Sequence, residues 1–215
     1  MRLDSRVNYF NDSARNVVSE MISAIRPLND RHLLEINKLK VAILVLDMQK
    51  VYIDPHSKSA IPSMGFIIPN IEKILGAYPG NLTVFTRHLN DNENAKLMSK
   101  WWKTLLKQDS SASELVFEKK EALVIEKSQY DAFYDTNLDE ILRENLIEQV
   151  VIVGAMTNLC CESTARSAFA RGYEVFFVAD AMATRNYDLH IAALKNAAHG
   201  FARVVTTMDV LNAKE

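Results

Sequence analysis

The chain has 215 residues, of which 48% are hydrophobic and 24% are charged, and its formal net charge is -2 at pH 7. This length exceeds that of a usual domain but falls short of two, and it allows a sizeable buried core. The charge is near neutral and no basic run is interleaved with aromatic residues, so we expect no nucleic-acid partner.

No stretch approaches the ~18 consecutive apolar residues of a membrane span, and no apolar segment like that of a secretory signal follows the first residues. We therefore expect no membrane partner. The two cysteines, Cys160 and Cys161, are neighbours, and bridging them would strain the peptide between them. Free thiols predict a cytoplasmic location.

The first 38 residues are predicted to form a helical extension, because their apolar residues recur at helical spacing and not in strand-like runs. We expect residues 1–38 to pack on the main domain, residues 39–215, or on a partner subunit. The apolar positions are Val17, Val18, Met21, Ile22 and Ile25 for a first helix, which Pro27 breaks, and Leu33, Leu34 and Ile36 for a second.

From residue 39 onward, apolar runs typical of buried strands alternate with helical patterns. This alternation predicts βαβ units with right-handed crossovers, and hence one α/β domain with a parallel sheet covered on both faces. The predicted strands are Val41–Leu46, Leu82–Thr86, Ala122–Ile125, Val150–Val153, Val175–Val178 and Arg203–Thr206. The predicted helices are Ile71–Tyr78, Ala95–Leu106, Leu138–Leu146, Leu159–Arg171 and Leu189–His199.

Three helix ends carry signals of their own. Gly172 and Gly200 each follow a predicted helix where a left-handed residue is needed. Asn137 and Glu140 have the spacing of a capping box before the helix at Leu138.

The residues just after the strands are the candidates for chemistry, because ligands of an open parallel sheet bind beyond the carboxyl ends of its strands. Asp47 follows the first strand, Lys127 the third and Cys160 the fourth. Taken singly, such an aspartate is often a turn residue, such a lysine a solvated charge and such a cysteine a small buried hydrophobe. A carboxylate, an ammonium and a thiol at one sheet edge together favour a catalytic site.

Periodicity separates the two thiols. Cys161 shares its helix row with apolar residues and is predicted to face the core. Cys160 lies in a more polar row and in the first turn of its helix, where the helix dipole, aided by a nearby Lys127, would stabilise a reactive thiolate. The rows are Cys161, Ala165, Ala168 and Phe169, and Cys160, Thr164, Ser167 and Arg171.

Three motifs, spread in order over about residues 40–210, resemble those of the isochorismatase-like cysteine hydrolases, which include nicotinamidases, N-carbamoylsarcosine amidases and ureidoacrylate amidases. The motifs are Asp47-Met-Gln49, Lys127 followed by Phe133, and Thr157-Asn-Leu-Cys160 before Thr164-Ala165-Arg166.

The resemblance implies a doubly wound, three-layer, Rossmann-like sheet of six parallel strands. It implies Asp47 as the base, Lys127 as its charged partner and Cys160 as the nucleophile, with an oxyanion hole formed by the backbone N–H groups of Met156 and Cys160. A cis peptide bond between Ala155 and Met156 is also implied, together with assembly as a homodimer or homotetramer.

The predicted reaction is hydrolysis of a C–N bond in a small amide, carbamoyl or ureido compound through a thioester. Nicotinamidases of the family resemble one another in a metal site made from an Asp-x-His pair and a further His. The loop after the second strand here reads Arg87-His88-Leu-Asn-Asp-Asn-Glu, so a nicotinamidase is disfavoured and no metal or other cofactor is predicted.

Two alternatives stay open. Members that cleave the vinyl ether of isochorismate typically lack the nucleophilic cysteine, which disfavours but does not remove that reaction. A non-catalytic binding protein on the same fold is the other alternative. Nucleotide-binding and thiol-redox proteins are disfavoured, because neither a glycine-rich phosphate loop nor a Cys-x-x-Cys motif is present.

Several side chains are candidates for the substrate pocket. Arg87 would suit a carboxylate and His88 a carbonyl, although a structural histidine is an equal interpretation of His88. One of Trp101 and Trp102 is expected to wall the pocket while the other packs in the core. His56 is an outside metal candidate in a surface loop. The full set of predicted substrate contacts is Gln49, Tyr52, Arg87, His88, Tyr130 and Phe133.

Overall fold

The computed structural model describes residues 6–10, 14–31, 34–102, 105–117 and 123–213. Its strands are β1 (Val41–Leu46), β2 (Thr83–His88), β3 (Leu123–Lys127), β4 (Gln149–Ala155), β5 (Glu174–Ala183) and β6 (Arg203–Val205). They form one parallel sheet in the order β3-β2-β1-β4-β5-β6. The chain winds outward from β1 in one direction and from β4 in the other, which confirms the doubly wound prediction.

Helices cover both faces of this sheet. They are α1 (Ala14–Asn29), α2 (Met64–Ala77), α3 (Met98–Trp102), α4 (Leu138–Glu144), α5 (Glu162–Ala170), α6 (Tyr187–Gly200) and α7 (Thr207–Leu211). α2 packs with α7, α1 and α5 pack with α6, and both groups contact β5. Within the described residues, no helix is both long and apolar enough to cross a membrane.

The two central strands are buried along their whole length. Every residue of β1 and of β4 is buried, as expected for Val- and Ile-rich runs with a layer of helices on each side. Their carboxyl ends are therefore fixed by the core, and the residues that follow them start from a rigid support. Edge strand β3 differs, since Leu123 and Val124 are partly exposed.

The N-terminal helix packs on the domain, as predicted. Met21 and Ile25 of α1 are fully buried, and the helix lies against α6 and β6. Its last residue, Asn29, accepts from the Val204 N–H and donates to the Val204 carbonyl, both at 2.8 Å, and so satisfies the free edge of β6. Pro27 lies inside the helix instead of ending it.

The second N-terminal helix is not formed where the structure describes the chain. Residues 34–37 form no regular secondary structure, and Leu33 lies outside the described residues. The backbone of this segment is tied to the core, because the Arg203 side chain donates to the Leu34 carbonyl and the Gln149 side chain donates to the Glu35 carbonyl. These tertiary hydrogen bonds replace those of a helix.

The predicted helix Ala95–Leu106 is also much shorter than expected. Asp91 and Asn94 side chains form hydrogen bonds with neighbouring backbone N–H groups, which compete with helix formation. Lys96 then adopts a left-handed conformation with φ of 48°, and among the described residues of this range only Met98–Trp102 is helical.

Of the predicted helix ends, Gly172 is confirmed: it follows α5 in a left-handed conformation with φ of 93°. Gly200 is instead the last residue of α6, and the helix ends because Phe201 turns into the core. Asn137 precedes α4 but makes no side-chain cap, since its ψ of 19° is not the extended value that a capping residue needs.

Candidate active site

The three predicted catalytic side chains meet where the strand order reverses. Asp47 follows β1, Cys160 lies in the turn after β4, and Lys127 ends β3. Lys127 Nζ is 2.8 Å from Asp47 Oδ2, and Cys160 Sγ lies within 4.8 Å of a carboxylate oxygen of Asp47. All three residues are buried.

Asp47 is held by its own backbone and by Thr86. It has a left-handed φ of 48°, a conformation that aspartate tolerates better than most residues. Its N–H donates to Thr86 Oγ1 at 3.0 Å, and Thr86 Oγ1 donates to Asp47 Oδ1 at 2.6 Å. Burial is the largest single effect and disfavours the carboxylate, but the Lys127 charge, the electrostatic effect of His88 and hydrogen bonds from Cys160 and Lys127 together hold the pKa of Asp47 below its usual value. Asp47 is therefore ionised and can accept a proton.

Lys127 is the charged partner. Burial is the largest single effect and disfavours its ammonium, but charge interactions and hydrogen bonds with Asp47 and Cys160 together raise the pKa of Lys127 above its usual value. Its hydrogens are shared among three acceptors, which fix the ammonium in place: Asp47 Oδ2 at 2.8 Å, the Gln129 carbonyl at 2.9 Å and His88 Nδ1 at 3.5 Å.

Cys160 lies in a π-helical turn, Thr157–Cys161, that leads into α5. Burial first, and then the Asp47 carboxylate, raise the pKa of its thiol, and together they outweigh the Lys127 ammonium. These directions favour a neutral thiol beside the Asp47 carboxylate over the predicted resting thiolate. Cys161 is fully buried as predicted, whereas Phe169, assigned to the same buried row, is 53% exposed.

The approach of β4 to β1 requires glycine at position 154. Gly154 has φ of +118°, and a Cβ atom there would lie 2.1 Å from the Leu46 carbonyl oxygen. Leu46 directly precedes Asp47, so this close contact sets how near the nucleophile turn comes to the base. The Ala155–Met156 peptide bond is cis, as the resemblance implies.

Gln49 supports the end of β2. Its Nε2 donates to the carbonyls of His88 and Ser113 at 3.1 and 2.8 Å, and its Oε1 accepts from the His88 N–H at 2.9 Å. Gln49 is fully buried. The Gln49 amide is thus engaged with the backbone, and its contact with substrate stays a prediction.

His88 in turn supports Lys127. Its Nε2 donates to Asn90 Oδ1 at 2.8 Å, and Asn90 Nδ2 donates to the Ser128 carbonyl, which fixes the orientation of the amide. His88 Nδ1 is then the acceptor that faces Lys127. Burial, and next the Lys127 charge, lower the pKa of His88, so the ring is neutral. Both ring nitrogens are engaged, which favours the structural interpretation over the predicted substrate contact.

An aromatic wall stands beside Cys160. Burial is the main cause that raises the pKa of the Tyr52 and Tyr130 hydroxyls, and the neighbouring Cys160 adds to it. Trp102 Nε1 donates to Tyr130 Oη at 2.7 Å, so Trp102 belongs to this wall. Trp101 is 76% exposed, and its predicted place in the core is wrong.

A hollow of about 340 Å³ opens beside this wall. Its lining includes Ser163, three residues after Cys160, but none of the three catalytic candidates, whereas a second hollow of about 450 Å³ has Lys127 in its lining. The lining residues of the first hollow are Lys96, Gln129, Tyr130, Asp131, Tyr134 and Ser163.

Arg87 and Phe133 contact other protein side chains. Arg87 pairs with Glu126 at 3.3 Å, and because side chains alternate along a strand, both lie on the sheet face opposite His88 and Lys127. Arg87 therefore lies on the other face of the sheet from Lys127, and its contact with substrate stays a prediction.

Phe133 stacks on Tyr173, with the Arg171 guanidinium 4.6 Å from its ring. The neighbouring Ala132 N–H donates to Thr164 Oγ1 at 3.0 Å, and contact of Phe133 with substrate stays a prediction. His56 is exposed in a surface loop, as predicted.

Sequence reasoning missed the buried residues that hold the nucleophile turn. Thr157 Oγ1 donates to His190 Nδ1 at 2.8 Å, and Thr184 Oγ1 donates to Asn158 Oδ1 at 2.6 Å. The one available signal was a histidine inside the apolar pattern of the last long helix. It could not reveal its partner, which lies 33 residues earlier in the chain.

A bound metal does not fit this site. Asp47, His88 and Cys160 are the only three potential ligands that cluster within the described ranges of the chain. The Lys127 ammonium already lies against two of them, at 2.8 Å from Asp47 and 3.5 Å from His88, and it would repel a divalent cation.

A buried carboxylate, ammonium and thiol at the switch point of a doubly wound sheet define an enzyme of the cysteine hydrolase type. Residues 41–209 match the isochorismatase domain family. The chain belongs to this family, and it is a hydrolase.

Two solved structures and one curated relative illustrate the similarity. Nicotinamidase 3 of Arabidopsis thaliana is 35% identical over 176 residues, which cover 79% of this chain and 86% of that protein. The cysteine hydrolase from Pseudomonas syringae pv. phaseolicola 1448A superposes with a TM-score of 0.79 at 27% identity, covering 83% of this chain and 93% of the other. N-carbamoylsarcosine amidase from Thermoplasma acidophilum superposes with a TM-score of 0.68 at 28% identity, covering 78% of this chain and 96% of the other.

Proposed function

We propose that the protein hydrolyses a C–N bond in a small amide, carbamoyl or ureido compound through a thioester on Cys160. The observation that carries this proposal is the buried contact among the Asp47 carboxylate, the Lys127 ammonium and the Cys160 thiol. A binding protein has no need for three convergent ionisable groups whose burial opposes their charges.

The chemistry follows from the protonation states. Asp47 takes the thiol proton as the Cys160 sulfur attacks the carbonyl carbon, and the Met156 and Cys160 N–H groups bind the resulting oxyanion. When the C–N bond breaks, protonated Asp47 returns the proton to the leaving nitrogen. Asp47 then deprotonates a water molecule that attacks the thioester, and the thiol is released with its proton restored.

Lys127 stabilises the ionised form of Asp47 during the cycle. Its fixed ammonium stabilises the Asp47 carboxylate before each proton transfer and remains beside the neutral acid afterwards. Without that charge, a fully buried aspartate would remain protonated and could not act as a base.

The substrate class rests on size and on the relatives. A hollow of about 340 Å³ beside Tyr130 suits a compound of a few ring or chain atoms. The similarity to Nicotinamidase 3 brings nicotinamide back as a candidate, although the metal ligands expected of a nicotinamidase are not readable in this chain. N-carbamoylsarcosine is the matching carbamoyl candidate.

An ammonia-release screen tests the proposal, with nicotinamide, N-carbamoylsarcosine and simple ureido acids as substrates. Cys160→Ala should abolish release, and Cys161→Ala, a change in the adjacent buried thiol, is the matched control that should retain it. Mass spectrometry of acid-quenched wild-type protein should find the acyl group on the peptide with Cys160.

Two results would contradict the proposal. Ammonia release by Cys160→Ala at a tenth or more of the wild-type rate would exclude a cysteine mechanism. Cleavage of isochorismate, with no release from any amide, would favour the vinyl-ether alternative.

A further inference from the structure

Two buried aromatic residues at the end of a short N-terminal segment lie outside the family domain yet contact residues that bind the turn of Cys160. Residues 6–10, called the strap below, precede the family match at residues 41–209. Tyr9 and Phe10 are 6% and 3% exposed, and Phe10 stacks on Phe66 with ring centroids 4.2 Å apart. The strap is therefore an integral part of the core.

The first route from the strap to the nucleophile runs through His190. The His190 ring lies between the strap and the turn, with its centroid 5.2 Å from that of Tyr9 and 5.8 Å from that of Phe10. Its Nε2 donates to the Ala179 carbonyl at 3.0 Å, so its Nδ1 must accept the hydrogen of Thr157 Oγ1 at 2.8 Å.

The second route runs through Thr184. Tyr9 Oη accepts the Thr184 N–H at 3.0 Å, and Thr184 Oγ1 donates to Asn158 Oδ1 at 2.6 Å. Tyr9 is fixed on its other side, because its own N–H donates to Ser63 Oγ at 3.3 Å. Both routes therefore end on consecutive residues, Thr157 and Asn158, at the start of the turn that carries Cys160.

We propose that the strap and His190 position the nucleophile turn, and that they act on turnover more than on substrate binding. This rests on the proposed function, in which the Met156 and Cys160 N–H groups of that turn bind the oxyanion. A turn that shifts loses donors aimed at charge that exists only in the transition state. His190 touches no reacting atom, so it is a positioning residue.

The test compares three variants with wild type at a temperature at which all four are folded by circular dichroism. Thr157→Val removes, at almost constant side-chain volume, the hydroxyl that donates to His190. Thr157→Ser keeps a hydroxyl at this position. Tyr9→Ala/Phe10→Ala removes the strap rings. We expect Thr157→Val and the strap variant to lose at least about tenfold in kcat with KM nearly unchanged, and Thr157→Ser to retain kcat.

A matched control separates positioning from stability. Tyr78 is as deeply buried as the strap rings, at 2% exposure, but it lies on the α2–α7 side, where its hydroxyl donates to the Val210 carbonyl. Tyr78→Ala should lower the melting temperature and leave kcat unchanged. Retention of wild-type kcat by Thr157→Val, or an equal loss of kcat in Tyr78→Ala, would overturn the proposal.

A substrate-free measurement keeps this inference separate from the proposed function. Cys161 is fully buried in the same turn, so iodoacetamide should label it only slowly in wild type. Labelling of Cys161, followed by mass spectrometry, should accelerate in the strap variant and not in Tyr78→Ala. If wild type cleaves no amide, the proposed function fails. Independently of that result, an unchanged rate of Cys161 labelling in the strap variant would refute the proposed role of the strap.

Discussion

His190 makes the stability of this protein sensitive to acid. It is fully buried between the Thr157 hydroxyl and the Ala179 carbonyl, and burial lowers its pKa to about 3. In the unfolded chain a histidine has a pKa of about 6.5. As the pH falls below that value, His190 binds a proton in the unfolded state but not in the folded state. Stability is therefore lost between about pH 6.5 and pH 3.

The size of the effect follows from the two pKa values. A pH of 5 lies about 1.5 units below the pKa of the unfolded histidine, and each unit lowers the free energy of unfolding by about 1.4 kcal/mol. At pH 7 the penalty is close to zero. Acidification from pH 7 to pH 5 should therefore cost about 2 kcal/mol through His190 alone, a large part of the stability of an ordinary domain.

Urea denaturation at pH 7 and pH 5 measures this cost. His190→Gln cannot be protonated, so the wild type should lose about 2 kcal/mol more than the variant between the two pH values. Contributions from other groups, such as His88, are common to both proteins and cancel in the comparison. His56→Gln, a change at an exposed histidine, should behave as wild type. Equal pH sensitivity of wild type and His190→Gln would refute the reasoning.

Three further outcomes are expected. Asp47→Asn should keep the fold and lose about 10²–10⁴ in kcat in the ammonia assay, because the thiol loses its base; a loss below tenfold would remove Asp47 from the mechanism. Prolonged EDTA treatment should leave the rate unchanged, because the Lys127 ammonium fills the cation position, and recovery with zinc after a loss would contradict this. Gly154→Ala should destabilise by about 3 kcal/mol or more, since its Cβ would meet Leu46 backbone, whereas Gly76→Ala, with nothing within 4 Å, should be neutral or stabilising in the same urea titration.

Much of the architecture could be predicted from local patterns. Val41–Leu46 reads as a strand buried on both faces because nearly every residue in it is branched and apolar, and the structure forms that strand with the same bounds. Where a predicted helix did not form as expected, side chains that bind the neighbouring backbone were the cause. The helix expected from Ala95 is interrupted because Asp91 and Asn94 bind local N–H groups, an effect that hydrophobic spacing does not report.

The proximity of Asp47, Lys127 and Cys160 was predictable for a different reason. Parallel strands end at one edge, so residues that follow separate strands meet there without any knowledge of the loops. The residues of the pocket could not be predicted in this way. Arg87 and His88 are neighbours in sequence, but their side chains project to opposite faces of the sheet.

The sequence by itself determined the order of strands and helices and the identity of Asp47, Lys127 and Cys160, since these depend on residue type and on position relative to a strand end. Only the tertiary structure decided that burial and Asp47 raise the pKa of the Cys160 thiol and that the Gln49 and His88 side chains bind neighbouring protein groups. It also decided that the strap binds residues that hold the turn of Cys160. Protonation and hydrogen-bond partners depend on distances of a few ångströms between residues far apart in the chain, and those distances are set by packing.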